Sequence, residues 1–119
     1  MRNFKIKGIM IDSARVMEQR HVYSDLLRLF ADWGYNTLFW HFCDDQGCRL
    51  RFPSRPELGS FNAWSADETR DFIAEARELG IQVIPEIETL GHTTFITGLD
   101  QYNHLSDGVE GAYFSAIAP

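Results

Sequence analysis

Asn36 to Arg51 reads NTLFWHFCDDQGCRLR. Its first part, Thr37 to Phe42, is apolar and β-favouring, and it stops abruptly at two adjacent carboxylates, Asp44 and Asp45, followed by Gln46 and Gly47. A buried strand that ends in paired acids and a glycine turn is how parallel α/β sheets present chemistry. Two ionised carboxylates side by side repel, so the pair needs a cation, a proton or solvent. A lone Asp-Asp is most simply a solvated strand end. Here two other strand ends repeat the pattern.

Upstream, Phe4 to Ile11 (FKIKGIMI) reads as a first strand that ends at Asp12, with a polar loop through Arg15. Val22, Leu26, Leu27, Phe30 and Trp33 fall at helical spacing, and Gly34 supplies the stop. Downstream, Gln46 to Trp64 reads as a long loop punctuated by Pro53, Pro56 and Gly59. Ser65-Ala-Asp-Glu68 is a capping box opening a second helix, with Phe72, Ile73, Ala76 and Leu79 as its apolar stripe and Gly80 as its end. Ile81 to Ile87 is a third strand, followed by Glu88 and Gly91-His92. Beyond it, Phe95 to Tyr102 suggests a helical turn and Ser106-Asp-Gly108 a turn, while Ala112 to Pro119 is an apolar tail without a pattern.

The order β-α-β-α-β suits right-handed crossovers and a parallel sheet. Asp12 and Arg15, then Asp44 and Asp45, then Glu86, Glu88 and His92 all follow strand ends, and in α/β folds those ends share the face where ligands bind. Carboxylates with a histidine at such a mouth support acid/base chemistry, metal binding or sugar recognition. Glu86 and Glu88, two apart, face one side of their strand. His41 and Asp45 share parity on theirs. A histidine held by one carboxylate can relay a proton to a second. Taken singly, His41 reads as a core histidine, Trp40 and Trp64 as packing, and Arg49 and Arg51 as a solvated face.

At 119 residues with 45% hydrophobic and 13% aromatic content, the chain reads as one globular domain over residues 1–119. A net charge of −6 argues against nucleic acid and anionic membranes as partners. No apolar run has the length of a membrane span. The start, MRNFKIKGIMID, lacks a signal-peptide core, so a cytoplasmic location is expected. Cys43 and Cys48 flank the acidic turn and, without an export signal, are expected as free thiols.

Three stretches carry a resemblance. Lys7-Gly-Ile-Met-Ile-Asp12-Ser-Ala-Arg15, Trp40-His-Phe-Cys-Asp-Asp-Gln-Gly47 and Ile84-Pro-Glu-Ile-Glu-Thr-Leu-Gly-His92 resemble, in order and spacing, the first three strand ends of glycoside hydrolase family 20, the β-N-acetylhexosaminidases. The family patterns are roughly R-G-hydrophobic-D-x-x-R, W-H-L-x-D-D-Q-G-W and I-P-E-I-D-x-P-G-H. The resemblance implies a (β/α)₈ TIM-type barrel, here incomplete at about three βα units, whose enzymes release terminal N-acetylhexosamine. It implies that the substrate's own acetamido group is the nucleophile. It also implies that Asp45, His92 and Glu88 form a relay supporting the general acid. Lys7, Asp12, Arg15, His41, Asp44 and Glu86 would contact the sugar.

This chain departs from the family patterns at Lys7 for Arg, Val16 for His, Cys48 for Trp, Glu88 for Asp and Leu90 for Pro. The family's H-x-G-G-D-E motif, with its catalytic Asp-Glu pair, does not occur in these residues. The expectation is an N-terminal portion of a barrel enzyme, inactive alone and able to self-associate through uncovered barrel edges. Its partner would be a carbohydrate, and no cofactor is expected. Two other readings stand beside it. One is a metal-dependent hydrolase with His41, Asp45, Glu88 and His92 as Zn²⁺ or Mn²⁺ ligands. The other is a non-catalytic carbohydrate-binding or assembly module.

Overall fold

The computed structural model describes residues 4–108 and 115–118; residues 112–114 and 119 of the apolar tail lie outside them. Three parallel strands form the frame: β1 (Gly8–Asp12), β2 (Thr37–Asp44) and β4 (Gln82–Ile87). β1 and β4 flank β2, so each parallel strand lies beside the next in chain order. A two-residue strand, β3 (Gly47–Cys48), turns back antiparallel on the end of β2.

β1 is shorter than the apolar run that announces it. Phe4 to Lys7 precede the strand, and Phe4 and Ile6 are exposed. Two helices connect the parallel strands, α1 (Arg20–Asp32) and α2 (Ala66–Glu78). The Ser65 hydroxyl accepts from the Glu68 amide while the Glu68 carboxylate accepts from the Ser65 amide, which closes the expected capping box. α1 has no side-chain cap at Gln19 and holds its place by burying Tyr23, Leu27 and Phe30.

Both helices end alike. Gly34 and Gly80 sit at φ of 77° and 74° and donate to Ala31 and Arg77, and the next amides, of Tyr35 and Ile81, reach back to Phe30 and Ala76. These are Schellman ends, in which a left-handed glycine turns the chain directly into a strand. They deliver β2 and β4 to adjacent places in the sheet.

The two faces of the sheet differ. Leu38, Trp40 and Phe42 alternate onto the face under the helices, where Trp40 is fully buried. Its ring centroid lies 4.4 Å from Phe72, 5.0 Å from Trp64 and 5.8 Å from Tyr23. The opposite face carries Met10, Phe39 and Ile84, which are register partners across the three strands. Met10 is 53% and Phe39 37% exposed. No described helix covers that face.

The long segment after β3 is built rather than loose. It holds a 3₁₀ turn at Pro56–Leu58 and single bridges Leu50–Trp64 and Phe52–Arg55. A short helix, α3 (Thr94–Thr97), follows β4, and Ser106 forms an antiparallel bridge with Ile117 rather than a turn.

Candidate active site

Parallel strands put their C-terminal ends on one rim, and there the structure ties three chain segments together. Asp12 closes β1, and its carboxylate accepts the Arg15 amide at 3.0 Å and the guanidinium at 2.5 Å. The same guanidinium reaches Asp44 Oδ2 at the end of β2, also at 2.5 Å. Asp44 is 2% exposed, so a buried carboxylate has the cation it requires. Its other oxygen accepts from the Gln46 amide.

Asp45, in the turn, faces the segment after β4. Its Oδ1 accepts from the Thr94 amide at 3.1 Å and hydroxyl at 2.6 Å, and its Oδ2 lies 3.0 Å from His92 Nδ1. His92 Nδ1 also stands 3.4 Å from Asp44 Oδ2. His92 has φ of 53°, the only positive φ outside glycine among the described residues. Strained non-glycine backbone of this kind clusters at functional sites.

The electrostatics follow from these contacts. Burial pushes the Asp45 carboxyl up, but the Thr94 hydroxyl and amide and the His92 ring more than offset it, so it titrates below its ordinary value. For Asp12 the same opposition holds, with burial outweighed by the Arg15 side chain and amide. The Asp12 hydrogen bond leads in raising Arg15. An ionised Asp45 accepts a hydrogen bond from Nδ1–H of His92, which leaves Nε2 as the nitrogen free to exchange protons.

Glu88 goes elsewhere. Its carboxylate gathers with His41 and Glu86, with one potential ligand atom of each within 4.8 Å of the others. The expected three-member relay of Asp45, His92 and Glu88 is therefore not assembled here. Glu88 is the first residue past β4 and keeps the parity of Glu86, which puts it on the face of the sheet that carries His41 and Glu86 rather than at the His92 turn. His41 is 3% exposed, and neither ring nitrogen has a hydrogen bond among the described residues; Glu86 Oε1 stands 3.7 Å from Nδ1.

Lys7 is not brought to this rim. It precedes β1 at the opposite end, where its backbone pairs with Asn36 and its Nζ lies near Gly34. Five strand residues at about 3.3 Å each separate it from the Asp12 end.

The four residues suggested as one metal shell are divided between two groups, His41 with Glu86 and Glu88, and His92 with Asp44 and Asp45. Either group has a donor set of the kind that holds Zn²⁺ or Mn²⁺. In the second, the Arg15 guanidinium already supplies the positive charge beside Asp44.

Three contributors carry little sequence signal. Thr94 holds Asp45 through two bonds, and nothing but its place after Gly-His marks it. Arg49, expected on a solvated face, instead donates to the carbonyls of Ser13 and Ala14 and to Asn62 Oδ1, pinning the loop that carries Arg15. Ser13 accepts the Trp40 indole N–H and donates to the His41 carbonyl. Arg49 follows a hairpin that folds back toward β1, and that hairpin was the missing clue.

Comparison with known proteins gives this rim a context. The description "Glycosyl hydrolase family 20, catalytic domain" matches residues 4–114. A β-hexosaminidase of Vibrio furnissii is 33% identical over 112 residues, covering 76% of this chain and 18% of that protein. The β-hexosaminidase subunit beta of Homo sapiens is 33% identical over 96 residues, covering 76% of this chain and 17% of its own length. Among solved structures, a Flavobacterium johnsoniae chitobiase superposes with a TM-score of 0.79 at 30% identity, over 86% of this chain and 16% of that one. The chain thus spans less than a fifth of these relatives. With a family match across nearly all its residues, it belongs to glycosyl hydrolase family 20.

Proposed function

We propose that these residues form the opening βα units of a (β/α)₈ barrel that hydrolyses terminal N-acetylhexosamine from glycans, with retention through the substrate's acetamido group. The observation that carries the reading is the 3.0 Å contact between Asp45 and a backbone-strained His92 at the C-terminal rim of sequentially adjacent parallel strands. Supporting it, a β-N-acetylglucosaminidase of Vibrio harveyi solved in complex with N-acetylglucosamine superposes over 98% of this chain at 25% identity, with a TM-score of 0.80.

In this reading each group has a distinct task. Asp45, kept ionised, holds His92 in the tautomer whose Nε2 can pass a proton to or from the general acid. Arg15, clamped between Asp12 and Asp44 and still partly exposed, offers its remaining N–H groups to sugar hydroxyls. Met10, Phe39 and Ile84 become part of a filled barrel interior. The H-x-G-G-D-E motif, with the acidic pair that performs the chemistry in this reading, does not occur in these residues, so by themselves they are expected to have no glycosidase activity.

Turnover of an aryl N-acetylglucosaminide by the complete protein tests this. Replacing a relay histidine removes general acid/base help of roughly 10²-fold or more, so His92→Ala is expected to lower kcat by about that factor. Wild-type turnover in His92→Ala would reject the role.

A further inference from the structure

The acidic turn that carries Asp44 and Asp45 is bracketed by two cysteines that the proposed sugar chemistry does not use. Cys43 in β2 and Cys48 in β3 are direct register partners, both fully buried and both free thiols. The neighbouring pair is joined by the Arg49 amide donating to the Phe42 carbonyl at 2.8 Å. Hydrogen-bonded and non-hydrogen-bonded pairs alternate along an antiparallel ladder, so Cys43 and Cys48 occupy a non-hydrogen-bonded position. The backbone of Cys48 confirms this by turning away, its amide donating to Ser60 Oγ and its carbonyl accepting the Ser60 amide. At such a position the Cα atoms lie about 4.5 Å apart, inside the range a disulfide spans. The two sulfur atoms are 2.6 Å apart.

We propose that Cys43 and Cys48 are a thiol–disulfide site, which a small-molecule disulfide of the glutathione class oxidises to one intrachain bond that locks the Asp44–Gly47 turn. Cys48 attacks first. It has no exposure at rest but lies against a groove of about 340 Å³ bounded by Gly47, Leu58, Ser60, Phe95 and Leu99, so local opening of the short β3 hairpin along that groove brings a reagent to it. The Cys43 hydrogen bond, helped by the nearby Arg49 charge, favours its thiolate against burial, whereas Cys43 is driven the other way by the same bond and by burial.

The Cys48 thiolate bonds to one sulfur of the reagent and expels the other half as a thiolate. Cys43 then loses its proton, its sulfur attacks Cys48 Sγ, and the second half leaves. Two protein thiols are oxidised, and one small disulfide is reduced to two thiols. The locked turn holds Asp45 in register with His92 and Thr94, so the redox state of the pair sets the rigidity of the rim. None of this depends on the sugar reading.

Peptide mapping tests it in the unaltered whole protein. The protein is equilibrated across mixtures of oxidised and reduced glutathione, then unfolded in excess iodoacetamide and digested with trypsin, which leaves both cysteines in the peptide Leu29–Arg49. The expected result is a passage from the doubly alkylated peptide to an unalkylated one that has lost two hydrogen atoms, and amide exchange at Asp45, Gln46 and Gly47 slows with it. A peptide that stays doubly alkylated at the oxidising end, or unchanged exchange in the turn, overturns the proposal. In Cys43→Ser the exchange is expected to stop with glutathione on Cys48, and an unmodified Cys48 would contradict attack from the groove.

Discussion

The two faces of β2 contrast within a single strand. On one, Leu38, Trp40 and Phe42 are sealed beneath α1 and α2 in an aromatic cluster with Tyr23, Trp64 and Phe72. On the other, Thr37 and His41 are buried, but Phe39 between them is partly exposed beside Met10. The first face is complete with the helices this chain provides. The second carries apolar side chains that no described helix covers, and it leads up to the polar rim where Asp12, His41 and Glu86 share a register. The sealed face therefore supplies the stability of these residues, and the open face and its rim supply the site.

The largest effect that can break this contrast is on the sealed side. Trp40→Ala is expected to cost the complete protein about 3–5 kcal/mol in urea unfolding, because it empties the centre of the aromatic cluster. Phe39→Ala sharpens the comparison. If the rest of a barrel covers the inner face, the loss is again about 3 kcal/mol or more, whereas a loss below about 1 kcal/mol would mean that the face stays open.

Ser65→Ala removes half of the capping box and is expected to cost about 1 kcal/mol without touching the rim. The smallest effect is expected in acid, since Asp12 and Asp45 are screened by solvent. Both carboxyls titrate below their ordinary value in the fold, so their stabilisation is present above pH 3.8 and is lost as pH falls through their lowered values. Asp45→Asn should flatten that acid limb in a pH series of thermal unfolding, and an unchanged limb would show that Asp45 is not held as described.

Much of this frame was legible in the chain because its signals are local. The capping box at Ser65–Glu68, the glycines that end α1 and α2, and the acids after apolar runs each announce themselves within a few residues. Partner choice at the rim was not legible. Strand parity groups Glu88 with Glu86 but says nothing of the turn that swings His92 toward Asp45, a path that needs the positive φ at His92. Lys7 drew attention through its place before Gly8, yet strand direction puts it at the far end. The two-residue strand β3 is too short for any periodicity, and with it the packing of Arg49 against Ser13 and Ala14 went unread.

The central claim is that the rim joining Arg15, Asp45 and His92 faces a sugar, with the inner sheet face closed beneath it. A crystal structure of the complete protein with N-acetylglucosamine tests it most directly. The account predicts sugar hydroxyls within hydrogen-bond distance of Arg15, the Asp45–His92 contact intact, and Met10, Phe39 and Ile84 out of solvent. A sugar bound away from this rim, or those three side chains still in water, would contradict it.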